Sequence, residues 1–393
     1  MSANARPQMT PQFSRSERQL LWLVGAGFFM QTLDSTIVNT ALPAMASSLN
    51  ESPLRMQSVV IAYTLTMALL IPASGWLSDR LGNRTVYFSA IVLFALGSAL
   101  CAASANLAEL AGARVVQGAG GAMLLPVGRL AVLRTFPHER LLPAFALVVI
   151  PGLVGPLIGP TLGGVLTQYY SWHWVFLINI PVGVVGALLT LSIMPQLRRA
   201  NTEAFDTTGY VMIAVAMATI SLALDGLSEL RLQHASVLVL FVFGLASLAG
   251  YWLHASQRPR PLFPTQLFSL STFSIGLIGN LFARIGSGSM PFLLPLTLQV
   301  ALGYTPVQSG MMMLPTAAAA LLTVSVRPLS RHRAAPPVGP VQGATAPGGD
   351  AIFGEAQELF PDLTSDGSDD RSDSLEEDTL SLEGQGLFGN IDG

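Results

Sequence analysis

Charged side chains inside long apolar runs are the residues of this sequence best placed to do chemistry. Asp34 lies nine residues before Pro43 in the first such run, and Arg114 lies eight residues after Asn106 in the fourth. At 1.5 Å per helical residue, both would lie ~12–13 Å from the same membrane surface. An unpaired charge in hydrocarbon costs several kcal/mol, so we expect the two side chains to pair directly or through water if their helices are neighbours.

Polar residues accompany both charges. Gln31 and Asn39 lie on or beside the helical stripe of Asp34, and Gln117 lies one turn from Arg114. A buried carboxylate balanced by an arginine can load and release a proton, and proton coupling is therefore one interpretation of the pair. The other is a fixed ion pair that only orients helices. A deep basic residue in a later run completes the candidate cavity set, which is Gln31, Asn39, Gln117 and Arg284.

Two glycine-containing segments join or interrupt the apolar runs. The segment between the second and third runs combines glycines, which allow a tight turn, with an acid and two arginines. These residues are Gly75, Asp79, Arg80, Gly82 and Arg84. The fifth run carries glycines at spacings of three and four, which favour close helix packing, and prolines, which favour bending. A packing interface and a bending hinge are both compatible with this second set, Gly152, Gly155, Pro156, Gly159, Pro160, Gly163 and Gly164.

Composition indicates a membrane protein. The chain is 51% hydrophobic and only 11% charged, whereas soluble domains carry about 25% charged residues. Cys101 is the only cysteine, which excludes an intrachain disulfide and a multi-cysteine metal site. The sequence has no nucleophile–base constellation, no phosphate-binding loop and no metal-ligand cluster. We therefore expect that the protein is not an enzyme, that it binds no cofactor and no nucleic acid, and that it does not use ATP.

Ten apolar runs are long enough to cross a membrane, which takes ~20 residues of helix. We place them at about 20–43, 56–76, 86–104, 107–132, 141–166, 174–194, 208–226, 236–254, 272–299 and 306–326. Arginines between the runs fall almost entirely on the side of the N-terminus, and only Arg55 and Arg231 fall on the other. Because basic residues stay on the cytoplasmic side, we expect a multi-pass membrane protein with both termini in the cytoplasm.

Five segments in order resemble the major facilitator superfamily, and within it the drug:H⁺ antiporter family with 14 membrane spans. They are Leu33 to Pro43, Gly75 to Arg84, Arg114 to Gly118, Gly152 to Gly164, and Trp172 to Pro181. The resemblance implies an all-α fold and export of drugs or other small organic molecules by alternating access, driven by the proton gradient. It further implies proton coupling by Asp34 and Arg114, and cytoplasmic gating around Asp79.

The resemblance also divides the chain. We expect a cytoplasmic segment at 1–19, a complete six-helix bundle at 20–200, two linker helices at 207–255, the first two helices of an incomplete second bundle at 270–326, and a disordered acidic tail at 334–393. The abrupt change near Ser330 favours a shifted reading frame, with a native regulatory tail as the alternative. The rival functions are a truncated or frameshifted membrane protein that does not transport, a membrane-bound interaction protein that uses its acidic tail, and an exporter of a small organic acid.

Overall fold

The computed structural model describes residues 13–198, 204–229, 234–259 and 261–315, and within these ranges every regular element is helical. The α-helices are α1 Arg15–Ser48, α2 Gln57–Leu70, α3 Ser74–Leu81, α4 Asn83–Ala102, α5 Leu107–Thr135, α6 His138–Tyr169, α7 Trp174–Leu177, α8 Asn179–Ile193, α9 Thr207–Glu229, α10 His234–Gln257, α11 Ser271–Leu296 and α12 Pro306–Met312. Two short 3₁₀ turns, Ile71–Ala73 and Thr265–Ser269, and a π-helical turn, Thr297–Ala301, complete the elements.

Among the described residues, eight helical segments are long and apolar enough to cross a membrane, and they coincide with the first eight predicted spans. The second comprises α2, its 3₁₀ turn and α3, and the sixth comprises α7 and α8. The ninth predicted run corresponds to α11 and the π-helical turn, and the tenth begins at α12. The all-α membrane class is therefore confirmed. The rest of the tenth run and the predicted tail lie outside the described residues, and the domain boundaries stay predictions.

Local sequence signals set the helix ends. Ser14 and Glu17 form a reciprocal capping box at the start of α1, and Asn106 caps α5 by accepting a 2.9 Å hydrogen bond from the backbone N–H of Glu109. The expected end of the first span at Pro43 is wrong as a helix boundary, because α1 continues through that proline to Ser48. A proline removes one backbone hydrogen bond, but membrane helices tolerate it because neighbouring helices and side chains satisfy the freed backbone group.

The first six spans pack on one another through small residues. Gly120 of α5 lies against the backbone of α4, where an added Cβ would come within 2.6 Å of the Ala90 carbonyl oxygen. Gly155 of α6 lies similarly close to α1, where a Cβ would come within 2.8 Å of the Leu33 nitrogen. These glycines let the helix axes approach, and the core consists of buried aliphatic and aromatic side chains between the helices.

The packed pair α9 and α10 is held at one end by the carboxylate of Asp206, which precedes α9. His254 Nε2 lies 2.9 Å from Asp206 Oδ1, and the backbone N–H of Gly209 donates a 3.0 Å bond to the same oxygen. Burial raises the pKa of Asp206, but hydrogen bonds from His254 and from the backbone of Gly209 and Leu262 outweigh it, so the net pKa lies below its usual value. Ionised Asp206 thus stabilises this helix pair.

We expect Asp206→Asn to lower the free energy of unfolding at pH 7 by roughly 1–3 kcal/mol, because it removes charge-assisted hydrogen bonds. A carboxyl with a lowered folded-state pKa contributes stability above its unfolded pKa and loses it as pH falls through the folded value. The difference between wild type and variant should therefore shrink below about pH 4. This difference in the free energy of unfolding is measured on the purified proteins in detergent at several pH values. Glu139→Gln, at an exposed carboxylate, is the control. A difference that is independent of pH would contradict the assignment.

Candidate functional site

A buried ion pair lies at the centre of the first six spans. Arg114 Nη1 of α5 donates a 2.7 Å hydrogen bond to Asp34 Oδ2 of α1, and the two side chains are 2% and 0% exposed. The pairing expected from their similar depth is therefore direct. Its role in proton coupling stays a prediction, since the contact alone is equally compatible with a fixed pair.

Two amide side chains complete the shell around Asp34. Gln117 Nε2 donates a 2.7 Å bond to Asp34 Oδ1, and Asn179 Nδ2 of α8 donates a 3.0 Å bond to the same oxygen. Gln117 also accepts a 2.7 Å bond from Arg114 Nη1 and donates a 2.8 Å bond to Ser98 Oγ of α4. The carboxylate thus accepts three hydrogen bonds from two neighbouring spans, and Gln117 links the network to a third.

An aromatic ring supports the arginine. The Arg114 guanidinium carbon lies 4.0 Å from the centroid of the Tyr63 ring of α2, an arrangement that stabilises a desolvated cation. Arg114 Nε also donates a 3.4 Å bond to the Val59 carbonyl. Among the described residues, the buried Tyr63 hydroxyl has no hydrogen-bond partner. This hydroxyl belongs to the ring that packs on Arg114, so it is a polar group that a rearranged network could recruit.

The other candidate cavity residues lie apart from this network. Gln31 and Asn39 are buried, and the side-chain carbonyl oxygen of each has no partner within the described ranges. Gln31 Nε2 makes only a 3.8 Å contact with Met67 Sδ. Arg284 is exposed on α11. Only Gln117 of the four is joined to the ion pair, and the assignment of Gln31, Asn39 and Arg284 to a cavity stays a prediction.

A second polar cluster lies at the end of the bundle where α1 begins, which we call the arginine-rich end. Asp79 of α3 forms an ion pair with Arg134 of α5, and Arg134 also donates a 3.1 Å bond to Asn83 Oδ1. Arg84 Nε donates a 2.6 Å bond to the Met194 carbonyl beyond α8. The cluster therefore ties the α3–α4 connection to the ends of two other spans.

The remaining predicted gating residues shape this connection. Gly82 joins α3 to α4 with φ +89°, a conformation that side-chain-bearing residues rarely adopt. The Arg80 guanidinium lies 5.1 Å from the centroid of the Trp76 ring. Gly75 has no neighbour that an added Cβ would meet within 4 Å. The geometry thus explains a glycine at 82, and it gives no packing reason for one at 75.

The glycines of α6 serve two contacts. Gly152, Gly155, Gly159 and Gly163 face α1, where Thr32 Oγ1 donates a 2.9 Å bond to the Gly152 carbonyl. Gly164 faces α12 instead, and Gly310 of α12 packs reciprocally against Pro160 and Thr161. Pro156 and Pro160 lie within the continuous helix. The glycine stripe is a packing interface here, and its role as a hinge stays a prediction.

Sequence reasoning missed four polar or aromatic partners. Ser98, Asn179 and Tyr63 surround the ion pair, and Arg134 holds Asp79. Depth was one signal, because Ser98, Asn179 and Tyr63 lie within predicted runs and Arg134 lies two residues beyond the fourth run. Asn179 also lies in one of the five segments that carry the resemblance. Which way a helix is turned about its axis depends on packing with its neighbours, and that information was absent from the spacing.

Comparison with known proteins agrees with this architecture. Residues 24–346 match the family model described as Major Facilitator Superfamily. The chain is 55% identical over 298 residues to "Putative multidrug resistance protein MdtD" of Yersinia enterocolitica, covering 76% of this chain and 63% of that protein. It is 56% identical over 295 residues to the protein of the same name from Serratia proteamaculans, covering 75% and 62%. The chain thus spans less than two thirds of the length of these curated relatives.

Two solved structures have the same fold at low sequence identity. The D-xylose-proton symporter superposes with a TM-score of 0.55 at 12% identity, covering 80% of this chain and 69% of that chain. The peptide transporter POT in complex with sulfate superposes with a TM-score of 0.54 at 15% identity, covering 78% and 69%. At such identities the likeness establishes the helical arrangement alone.

The Asp79–Arg134 pair should show a measurable coupling energy. The two side chains are 22% and 21% exposed, so water screens their attraction only in part. A double-mutant cycle of Asp79→Asn and Arg134→Gln, followed by the free energy of unfolding, should therefore give a coupling energy of about 1 kcal/mol. The matched cycle of Asp79→Asn with Arg80→Gln should give about zero, because Arg80 lies over Trp76. Equal coupling in the two cycles would show that the pair is not specific.

Proposed function

This chain belongs to the major facilitator superfamily, and from that premise we propose that it is a proton-coupled antiporter that exports drugs or other small organic molecules by alternating access. The observation that carries the proposal is Asp34, a carboxylate with no exposed surface whose three hydrogen bonds come from Arg114, Gln117 and Asn179. The similarity to proteins named multidrug resistance proteins supports the substrate class. Transport of this kind leaves the substrate covalently unchanged.

Protonation of Asp34 is the proposed coupling step. While Asp34 is ionised, its charge and that of Arg114 offset each other in a site that water does not reach. A proton on the carboxyl removes that balance and leaves the guanidinium with Gln117, the Val59 carbonyl and the Tyr63 ring. The cost of the uncompensated cation then favours a rearrangement that gives Arg114 other partners or water.

Two contact sets at opposite ends of the bundle are suited to alternate during transport. The Asp79–Arg134 cluster lies at the arginine-rich end, and the α6–α12 contact lies near Gly164, roughly 39 Å along α6 from its start at 1.5 Å per residue. Thr161 Oγ1 donates a 3.2 Å bond to the Gly310 carbonyl there. We assign the first to a gate on one side of the substrate path and the second to a gate on the other.

Orientation and energy source follow from the same proposal. The arginine-rich end carries most of the basic residues of the loops, which supports a cytoplasmic location for that end and for both termini in a bacterial inner membrane. The proton gradient would supply the energy, and the chain would need no bound cofactor, ATP or nucleic acid. The expected partners are then the lipid bilayer, protons and the transported molecule.

Asp34→Asn should abolish export while the protein still inserts, because the amide keeps the size of the side chain and cannot titrate. Uptake of ethidium into everted vesicles under an imposed pH gradient measures export, and should fall to the level of vesicles without the protein. Glu51→Gln, at a partly exposed carboxylate paired with Arg55, should leave uptake unchanged. Wild-type uptake by the Asp34 variant would refute proton coupling at this residue.

Gly310→Val should open the α6–α12 contact, because a Cβ at position 310 would come within 2.8 Å of Thr161 Cα. We expect ethidium uptake to fall and a cysteine placed at the fully buried Ser309 to react with a membrane-impermeant maleimide applied to the side opposite the arginine-rich end. The native Cys101 is itself buried.

Gly276→Val is the matched control for this steric change, since nothing lies within 4 Å of a Cβ at that position of α11. It should leave both uptake and labelling unchanged. Labelling at position 309 that is equal in the two glycine variants would exclude a gate at the α6–α12 contact.

A further inference from the structure

A large groove outside the ion-pair network lies between α1, α4 and α8. Its volume is about 1040 Å³, at the upper limit of the ~300–1,000 Å³ typical of ligand pockets. The buried side chains of Leu23, Met30 and Ile91 contribute to its floor. The exposed side chains of Trp22 and Val185 contribute to its walls. Along most of its length the groove is therefore apolar.

Two arginines form a cationic rim at one end of this groove. Arg15 and Arg18 both line it, and they are exposed residues three positions apart, hence neighbours on one face of α1. Within the described ranges neither guanidinium forms an ion pair with a carboxylate. The nearest acid in sequence, Glu17, is already engaged by Arg140 at 3.3 Å and by the backbone N–H of Ser14. The positive charge of the rim is therefore available to a ligand.

The groove lies at the depth where a lipid headgroup meets its acyl chains. Arg15 is the first residue of α1, whereas Trp22 lies seven residues further along, ~10 Å deeper in the span. The Trp22 side chain is 57% exposed. Tryptophan is enriched at the interface between membrane and water, which agrees with this depth. The groove thus has arginines at its rim and an apolar surface below them. A phospholipid molecule matches this arrangement, because its anionic phosphate lies above its acyl chains.

We propose that this groove binds an anionic phospholipid of the leaflet that contacts the start of α1. The phosphate lies between the guanidinium groups of Arg15 and Arg18, which suit phosphate oxygens as hydrogen-bond acceptors. An acyl chain lies along Trp22, Val185 and Leu189, which keeps these exposed apolar side chains covered. The two positive charges disfavour an organic cation in the same place, and they disfavour a second copy of the chain that would bring its own arginines to the rim.

Quenching of Trp22 fluorescence by brominated lipids tests the proposal on the purified full chain in nanodiscs. Subtracting the signal of Trp22→Phe isolates the Trp22 component from that of the other tryptophans. We expect brominated phosphatidylglycerol to quench Trp22 at an about tenfold lower mole fraction than brominated phosphatidylcholine, since each arginine favours an anionic lipid at the surface.

Variants separate the rim from the groove. Arg15→Gln/Arg18→Gln should abolish the preference for phosphatidylglycerol, and Arg258→Gln, at an exposed arginine beyond α10, should retain it. Val185→Phe, which narrows the groove but keeps both arginines, should reduce quenching by either lipid. None of these measurements requires transport, so they remain interpretable whether or not the chain exports a substrate.

Three results would overturn the proposal. The first is equal quenching of Trp22 by the two lipids in the wild type. The second is a loss of preference in Arg258→Gln as large as in the double variant. The third is quenching by neither lipid together with disulfide-linked dimers of Val185→Cys, which would show that a second copy occupies the groove.

Discussion

Burial of an aspartate and an arginine side by side is the constraint on which the centre of this bundle depends. Removing two charges from water costs several kcal/mol per ion, and the attraction between them offsets this only when further hydrogen bonds satisfy both groups. Asp34 and Arg114 therefore require donors and acceptors from several helices at once. Gln117 meets part of that need by accepting from the arginine and donating to the carboxylate. Asn179 supplies a further donor from α8.

The glycines around the pair follow from the same constraint. A Cβ at Gly118 would come within 2.8 Å of the Tyr63 carbonyl oxygen, and one at Gly121 within 2.9 Å of the Tyr63 hydroxyl. Larger residues at these positions of α5 would push α2 away and would take the Tyr63 ring from the guanidinium of Arg114. Small residues are thus needed on α5 because a short polar network cannot span widely separated helix axes.

The sequence predicted the helices well because an apolar run of ~20 residues in a membrane has few alternatives to a helix. The pairing of Asp34 with Arg114 was predicted from depth measured to Pro43, although α1 continues to Ser48. Partners that depend on how a helix is turned about its axis were not predicted. Asn179 and Arg134 belong to this group, because side-chain packing among several helices sets that rotation. The glycines of α6 indicated close packing, but only the structure assigns one set to α1 and Gly164 to α12.

The contacts of α1 differ in whether a proton can change them, and this difference gives the proposed coupling a direction. On α6, α1 is held by glycine packing and by the Thr32 hydroxyl, none of which titrates in the physiological range. On α5, it is held by a carboxylate whose charge is required by its partner. In the proposed mechanism, protonation of Asp34 would therefore weaken the attachment of α1 to α5 and leave its attachment to α6 unchanged. Because α6 also carries the contact with α12 through Gly164, the proposed shift of α1 relative to α5 would move α6 with it and so reach that distant contact. The ion pair and the outer contact can thus be linked through the packed helices α1 and α6, whose mutual contacts do not depend on a titrating group.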